Sequence, residues 1–209
     1  VPHPSPRSLP SGERAVLIEL DDLADVQAHY AALIADPPPD VVEMVPAART
    51  ILLVARSPEC LPALRERISR LRPSQHPAQQ RPPVTVPVSY DGADLHEVAG
   101  LLGYSPEALV RRHKDEVWTV AFSGFAPGFG YLTAASGTWQ VPRRRTPRTA
   151  VPAGSVALAG EFSGVYPRAT PGGWQLIGRT ALSVFDLQRD PPALLAPGTR
   201  VHFEDVGDR

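Results

Sequence analysis

The sequence predicts an α+β fold in two parts: a small ferredoxin-like α/β domain and, after it, a β-barrel. Two patterns carry this expectation. Over residues 15–90 the apolar periods run β-α-β-β-α-β, the ferredoxin-like supersecondary order. From Val117 onward the helical period disappears, and seven short apolar segments alternate with glycine, proline and arginine turns, as in a closed or nearly closed barrel.

In chain order, Ala15 to Leu20 is a strand candidate. Leu23, Val26, Tyr30, Leu33 and Ile34 then recur at helical spacing until Pro37-Pro38-Pro39 stops the helix. Val41 to Val45 and Thr50 to Ala55 read as paired strands. Ser57 followed by Pro58 is a helix start, and Leu61, Leu64, Ile68 and Leu71 form that helix's apolar stripe. A polar, proline-rich link (Pro73 to Pro83) leads to a strand from Val84 to Tyr90, which could serve either domain. Asp94 to Leu102 and Ser105 to Lys114 are short helices parted by Gly103-Tyr104. The strand candidates beyond them are 117–122, 139–142, 151–159, 162–166, 174–177, 181–186 and 199–203. Residues 1–12, rich in proline and serine, are expected to be a disordered tail, with the α/β domain over 13–83 and the barrel domain over 84–209.

Composition excludes several function classes. With 209 residues, 43% hydrophobic and 21% charged, the chain has ordinary globular make-up and can bury a real core. A net charge of −1 gives no global pull towards nucleic acid or an anionic membrane. The lone Cys60 excludes an intrachain disulfide and a multi-cysteine zinc site. No apolar run reaches membrane-spanning length, and the first twelve residues lack the apolar segment of a signal peptide, so a cytoplasmic location is expected.

The most informative stretch is Phe122 to Leu132, where four aromatics, three glycines and a proline fall within eleven residues. Glycine weakens both helix and strand, and interior proline removes a backbone donor. The stretch reads as a strand breaking into a shaped loop: either an aromatic turn stapled to a core, or one wall of a pocket. Pro142 to Arg148 then sets four guanidinium groups in seven residues, able to hold a carboxylate or phosphate bidentately, or simply a solvated loop. Small residues at Val151-Pro152-Ala153-Gly154-Ser155-Val156 permit close approach, although Ser155 lacks the G-x-S-x-G context of a nucleophile. Tyr166-Pro167-Arg168, Pro171-Gly172-Gly173-Trp174 and Gly178-Arg179 form further turns. His113 falls on a helix face with Leu109, as a buried structural histidine or a general acid–base. His96 and Glu97 lack a second histidine at metal-ligand spacing, so no metal site is expected. Cys60 in a first helical turn suits packing better than nucleophilic attack. No Walker, Rossmann or H-E-x-x-H motif occurs.

Taken in order, Phe125-Ala126-Pro127-Gly128-Phe129-Gly130-Tyr131-Leu132, the arginine loop, Val151 to Val156, Gly164 to Pro167, Pro171 to Trp174 and Ile177-Gly178-Arg179-Thr180 resemble the allophanate hydrolase subunit 1 family. That family includes the B subunit of 5-oxoprolinase and the kinase inhibitor KipI. The resemblance is strong over about residues 84–204. It implies that the barrel is cyclophilin-like. It also implies two partners: a homologous KipA-like protein, the C subunit, and a separate LamB/YcsF-like protein, the A subunit. The activity implied is that of an ATP-dependent lactam hydrolase built from several subunits, inactive as this chain alone, converting 5-oxo-L-proline to L-glutamate. ATP, with Mg, belongs to the complex and is not bound tightly by this chain. KipI-like inhibition of a sensor histidine kinase, or a urea- or amide-binding role beside a carboxylase, are the alternatives. Phosphorylation of the amide oxygen would call for cations and a dry pocket. From residue type, His113 and Arg148 are the catalytic candidates. The candidate substrate- or nucleotide-binding residues are Phe125, Pro127, Gly128, Phe129, Tyr131, Arg143, Gly154, Ser155, Tyr166, Gly172, Gly173, Trp174 and Arg179.

Overall fold

The computed structural model describes residues 6–74 and 81–207. The chain divides into two compact units, residues 1–80 and 81–209. The first contains β1 (Arg7–Ser11), β2 (Ala15–Glu19), α1 (Leu23–Ala35), β3 (Val41–Pro46), β4 (Thr50–Ala55) and α2 (Leu61–Ser69). Its sheet has the order β1-β2-β4-β3 with every neighbouring pair antiparallel. Consequently β2 and β3 run parallel and are joined by α1, a split β-α-β unit. Alternate residues Val16 and Ile18 on β2, and Ile51 and Leu53 on β4, share a core with Val26 and Leu33 of α1 and Leu64 and Ile68 of α2. The Asp22 carboxylate caps α1 by accepting the Asp25 N–H at 2.9 Å.

One expectation is corrected here and one that was open is decided. Residues 7–11 of the supposed tail form β1, which pairs with β2 from Arg7↔Glu19 to Ser11↔Ala15; residues 1–5 lie outside the described residues. Gly12, at φ 60, makes the turn, and Pro10 is tolerated because β1 is an edge strand. The strand that begins at Val84 belongs to the barrel. β1 takes the sheet position next to β2 that a sixth, C-terminal element would fill, so the ferredoxin-like sheet is completed from the N-terminal side.

The second unit contains β5 (Val84–Val88), α3 (Leu95–Leu102), α4 (Pro106–Asp115), β6 (Trp118–Ser123), β7 (Gly130–Ala134), β8 (Arg148–Val151), β9 (Ser155–Ala159), β10 (Phe162–Val165), β11 (Thr170–Gly172), β12 (Gln175–Arg179) and β13 (Arg200–Asp205). Seven strands form one sheet in the order β12-β9-β10-β7-β6-β13-β5. A bridge between Ser89 and Arg179, two N–H···O bonds of 2.9 Å, returns the β5 end to β12 and closes the barrel. β8 and β11 form a separate ribbon.

Val86, Val88, Trp118, Val120, Leu132, Trp139, Val156, Leu158 and Ile177 fill the interior together with residues of α3 and α4. Ser105 caps α4 through the Ala108 N–H, with Pro106 at the first helical position, and Gly103 ends α3 at φ 74. Three strand expectations fail locally. Residues 139–142 and 181–186 each make only a single bridge, at Val141 and Phe185. The 151–159 segment breaks at Gly154, whose φ of 77 makes a turn before β9.

Candidate functional site

Between β6 and β7 the chain makes two consecutive tight turns. The Ala126 N–H donates to the Gly124 carbonyl at 2.7 Å, a three-residue γ-turn around Phe125, whose φ is 65. A bulky residue at positive φ is an outlier of the kind that collects at functional sites. The Phe129 N–H then donates to the Ala126 carbonyl at 2.9 Å, with Pro127 and Gly128 at the corners and Gly128 at φ 82, the Pro-Gly pairing of a type II turn. Gly128 cannot be enlarged: a Cβ there would lie 2.4 Å from Cβ of Phe185. The turns point Phe129 inward and leave Phe125 59% exposed.

Phe125, Phe129, Tyr131, Arg143, Tyr166, Gly172, Gly173 and Trp174 line one small cleft of ≈ 80 Å³. Phe129 is its hub, meeting Phe125, Tyr166 and Trp174 edge-on at centroid distances of 5.4, 5.3 and 5.3 Å. A Cβ on Gly172 would collide with the Tyr166 hydroxyl at 2.5 Å, so the glycine leaves room for the phenol. Burial raises the pKa of both Tyr131 and Tyr166 against the opposing pull of Arg143, so both phenols stay protonated at neutral pH and can donate a hydrogen bond. Arg143 lies 6.0 Å from the Trp174 ring centroid and has no carboxylate partner among the described residues. Chemically, this is an aromatic slot with one unneutralised cation, suited to a small flat group bearing a negative charge.

Two other arginines of the loop, Arg144 and Arg148, are held by Asp94. The buried carboxylate of Asp94 accepts from Arg144 Nη1 at 2.6 Å, from Arg148 through both terminal nitrogens at 2.8 Å each, and from the Leu176 N–H at 2.7 Å. Burial by itself would raise the Asp94 pKa. The Arg148 hydrogen bonds, the Leu176 N–H and the charges of Arg148 and Arg144 outweigh it and hold the carboxyl below its ordinary value. The expectation that Arg148 is a free catalytic cation is therefore corrected: its guanidinium is committed to Asp94.

His113 is corrected as well. Its side chain is fully buried, with Nδ1 2.8 Å from the Tyr90 hydroxyl and Nε2 3.0 Å from the Ser163 hydroxyl. Burial lowers its pKa to about 3, and Trp118, Trp139 and Phe203 pack around it. It is a neutral histidine within the core, with both ring nitrogens engaged by hydroxyls.

The other sequence candidates lie outside the cleft lining. Pro127 is the exposed turn corner and Gly128 packs on Phe185. Gly154 abuts the Thr180 carbonyl oxygen, 2.2 Å from where a Cβ would sit. Ser155 is buried in the β9–β12 pairing. The Arg179 backbone closes the barrel, while its side chain pairs with Asp91 at 2.7 Å. Among the described residues, no three His, Cys, Asp or Glu side chains gather as a metal site. Sequence reasoning missed Asp94 and also Gln175, whose Nε2 donates to the Pro142 carbonyl at 3.3 Å and helps seat the arginine loop. The one available signal was an aspartate just before a helix, which suggests a cap; here the side chain makes no cap bond.

Comparison with known proteins agrees with this architecture. Residues 6–195 match the family described as the carboxyltransferase domain, subdomain C and D. The B subunit of 5-oxoprolinase from Escherichia coli O157:H7 is 42% identical over 204 residues, covering 92% of each chain. The crystal structure of TTHA0988 matches with a TM-score of 0.77 and 36% identity, over 94% of this chain and 41% of that one; the chain thus spans about two-fifths of that larger protein. The urea amidolyase of K. lactis, at 16% identity and a TM-score of 0.74 over 97% of this chain and 15% of that one, shares the fold. The chain belongs to the carboxyltransferase subdomain C and D family, in the branch that includes the B subunit of 5-oxoprolinase.

Proposed function

We propose that this chain is the B subunit of a 5-oxoprolinase. It would work in an ATP-dependent complex with a homologous KipA-like protein (the C subunit) and a separate LamB/YcsF-like protein (the A subunit), opening 5-oxo-L-proline to L-glutamate. The observation that carries this reading is the 42% identity to a 5-oxoprolinase B subunit, which extends over 92% of both chains. In this reading the aromatic cleft receives the lactam. A flat five-membered ring suits a slot of ≈ 80 Å³ walled by Phe129, Tyr131, Tyr166 and Trp174, and its carboxylate would meet Arg143 at the rim. The protonated phenols of Tyr131 and Tyr166 could donate to the lactam oxygen, and the aromatic walls would exclude water and strengthen these contacts.

A nucleotide does not fit this cleft. An adenosine with its phosphates needs several times that volume, and the neighbouring Arg144 and Arg148 are both engaged by the Asp94 carboxylate. Nucleotide binding is therefore assigned to surfaces of the complex outside this cleft. No helix among the described residues is long and apolar enough to cross a membrane; dependence on ATP favours the cytoplasm as the working compartment. The test is reconstitution of the chain with both partner proteins, 5-oxoproline and ATP, measuring glutamate and ADP. Stoichiometric glutamate is the expected result, and its absence from a correctly assembled complex sinks the reading.

A further inference from the structure

We propose that Asp94 is the positioning residue of the cleft: its buried carboxylate ties the arginine loop to β12 and so sets Arg143 against Trp174. This rests on the reading of the cleft as the lactam site. Asp94 is fastened to β12 twice. Its N–H donates to the Leu176 carbonyl at 2.9 Å, and its Oδ2 accepts the Leu176 N–H at 2.7 Å. Leu176 lies two residues beyond Trp174. The same carboxylate holds Arg144, the residue after Arg143, at 2.6 Å, and Arg148 at the far end of the loop in a two-pronged grip. Ring and cation are thus both referenced to a single group.

Two further bonds complete the frame. The Arg144 N–H donates to the Gly173 carbonyl at 2.9 Å, and Gln175 holds the Pro142 carbonyl at 3.3 Å. Arg143 sits between these two attachments, and of the loop's four arginines it is the one lining the cleft. Charge points the same way. Without the Asp94 carboxylate, Arg144 and Arg148 would repel each other and Arg143 in a poorly hydrated setting, and the loop would open to relieve it. With Asp94 in place that repulsion is reduced, and Arg143 is the arginine that lines the cleft.

The test uses the full chain, by NMR alone and by kinetics in the reconstituted complex. In the wild type the Arg143 side-chain N–H resonance is expected upfield, under the Trp174 ring current. Asp94→Asn should move it to the position of exposed arginines and raise KM for 5-oxoproline about tenfold, the loss of one charge-assisted contact. kcat should change little, because the reacting atoms are untouched. The Asp94→Asn/Arg143→Ala pair should be no worse than Arg143→Ala alone. Arg144→Gln keeps the Arg148 grip, so it tests the same displacement if Asp94→Asn does not fold. A wild-type Arg143 resonance in these variants, or an additive double variant, overturns the proposal. A displaced resonance in Asp94→Asn, together with a wild-type KM in Arg143→Ala, instead overturns the lactam-site reading and leaves the positioning role standing.

Discussion

Replacing Arg148 with alanine separates a structural clamp from a catalytic cation. The change removes two of the four hydrogen bonds to the Asp94 carboxylate and leaves Arg144 and the Leu176 N–H. The Asp94 side chain is 3% exposed, so the lost contacts cannot be replaced by water without opening the loop. Breaking a buried pair costs about 3–5 kcal/mol. Arg144 remains and the Arg148 side chain is 23% exposed, so the lower end applies, about 3 kcal/mol. For a chain of this size that lowers the melting midpoint by roughly 10 °C. The loss should depend on pH. The folded pKa of Asp94 lies below its unfolded value, so its contribution is complete above the unfolded pKa and disappears as pH falls through the folded one. Without Arg148, burial dominates and the carboxyl pKa climbs, so the variant recovers part of its deficit by taking up a proton. The gap between wild type and Arg148→Ala should therefore be widest near neutrality and narrow in acid, as read by urea titration of tryptophan fluorescence across pH. A variant with the wild-type midpoint at pH 7 but no turnover in the complex would refute this and return Arg148 to the catalytic set.

Arg143→Ala should raise KM for 5-oxoproline roughly 10–100-fold, the worth of one charged contact, while the melting midpoint stays put, because Arg143 is exposed and carries no ion pair among the described residues. Gly128→Ala should cost roughly 2–5 kcal/mol in denaturant titrations, combining a left-handed backbone at φ 82 with a Cβ driven onto Phe185. The His113 imidazole, its pKa lowered to about 3, should stay neutral by NMR from pH 7 to pH 5, and its burial should cost about 1.4 kcal/mol of stability per pH unit below ~6.5; an imidazole titrating near its ordinary value would contradict that burial. Phe129→Ala should lose about 3–5 kcal/mol, whereas Phe125→Asn should leave stability within about 1 kcal/mol of wild type yet weaken binding of the lactam, measured by calorimetry on the full chain.

The barrel was legible because its strands can be read one segment at a time, as apolar alternation in Arg200–Asp205 and as a continuous buried run in Ser155–Ala159. β7 was hidden because its first residue is a glycine in a loop-like run; its stability comes from the β6 and β10 partners, not from local propensity. β1 was hidden for the same reason, its proline and serine content reading as tail until β2 supplies the ladder. The cleft walls were legible as an ordered set of turn motifs, and eight of those residues meet in space. The arginine loop was legible only as charge. Which guanidinium is free and which is paired depends on Asp94, 50 and 54 residues away from Arg144 and Arg148, and no local pattern encodes that distance. For His113, helical spacing gave the inward direction of a buried histidine but not which hydroxyls engage its two ring nitrogens.

Phe125 and Phe129 sit four residues apart in one loop and have opposite energetics. Phe129 is 1% exposed and touches four aromatic partners, so its burial alone accounts for its presence. Phe125 is 59% exposed and holds a backbone conformation that costs an L-residue about 1–2 kcal/mol. Its remaining contacts are edge-on approaches to Phe129 and Tyr166 at 5.4 and 6.1 Å, at the mouth of the cleft. Asparagine or glycine would suit that backbone better, and a smaller side chain would expose less apolar surface to water. A fold selected for stability alone has no use for a phenylalanine in that place. A ligand in the slot or a partner protein that covered the ring would offset that strain. The γ-turn, and not the buried aromatics behind it, is thus the part of this loop whose side chain and backbone core packing does not account for.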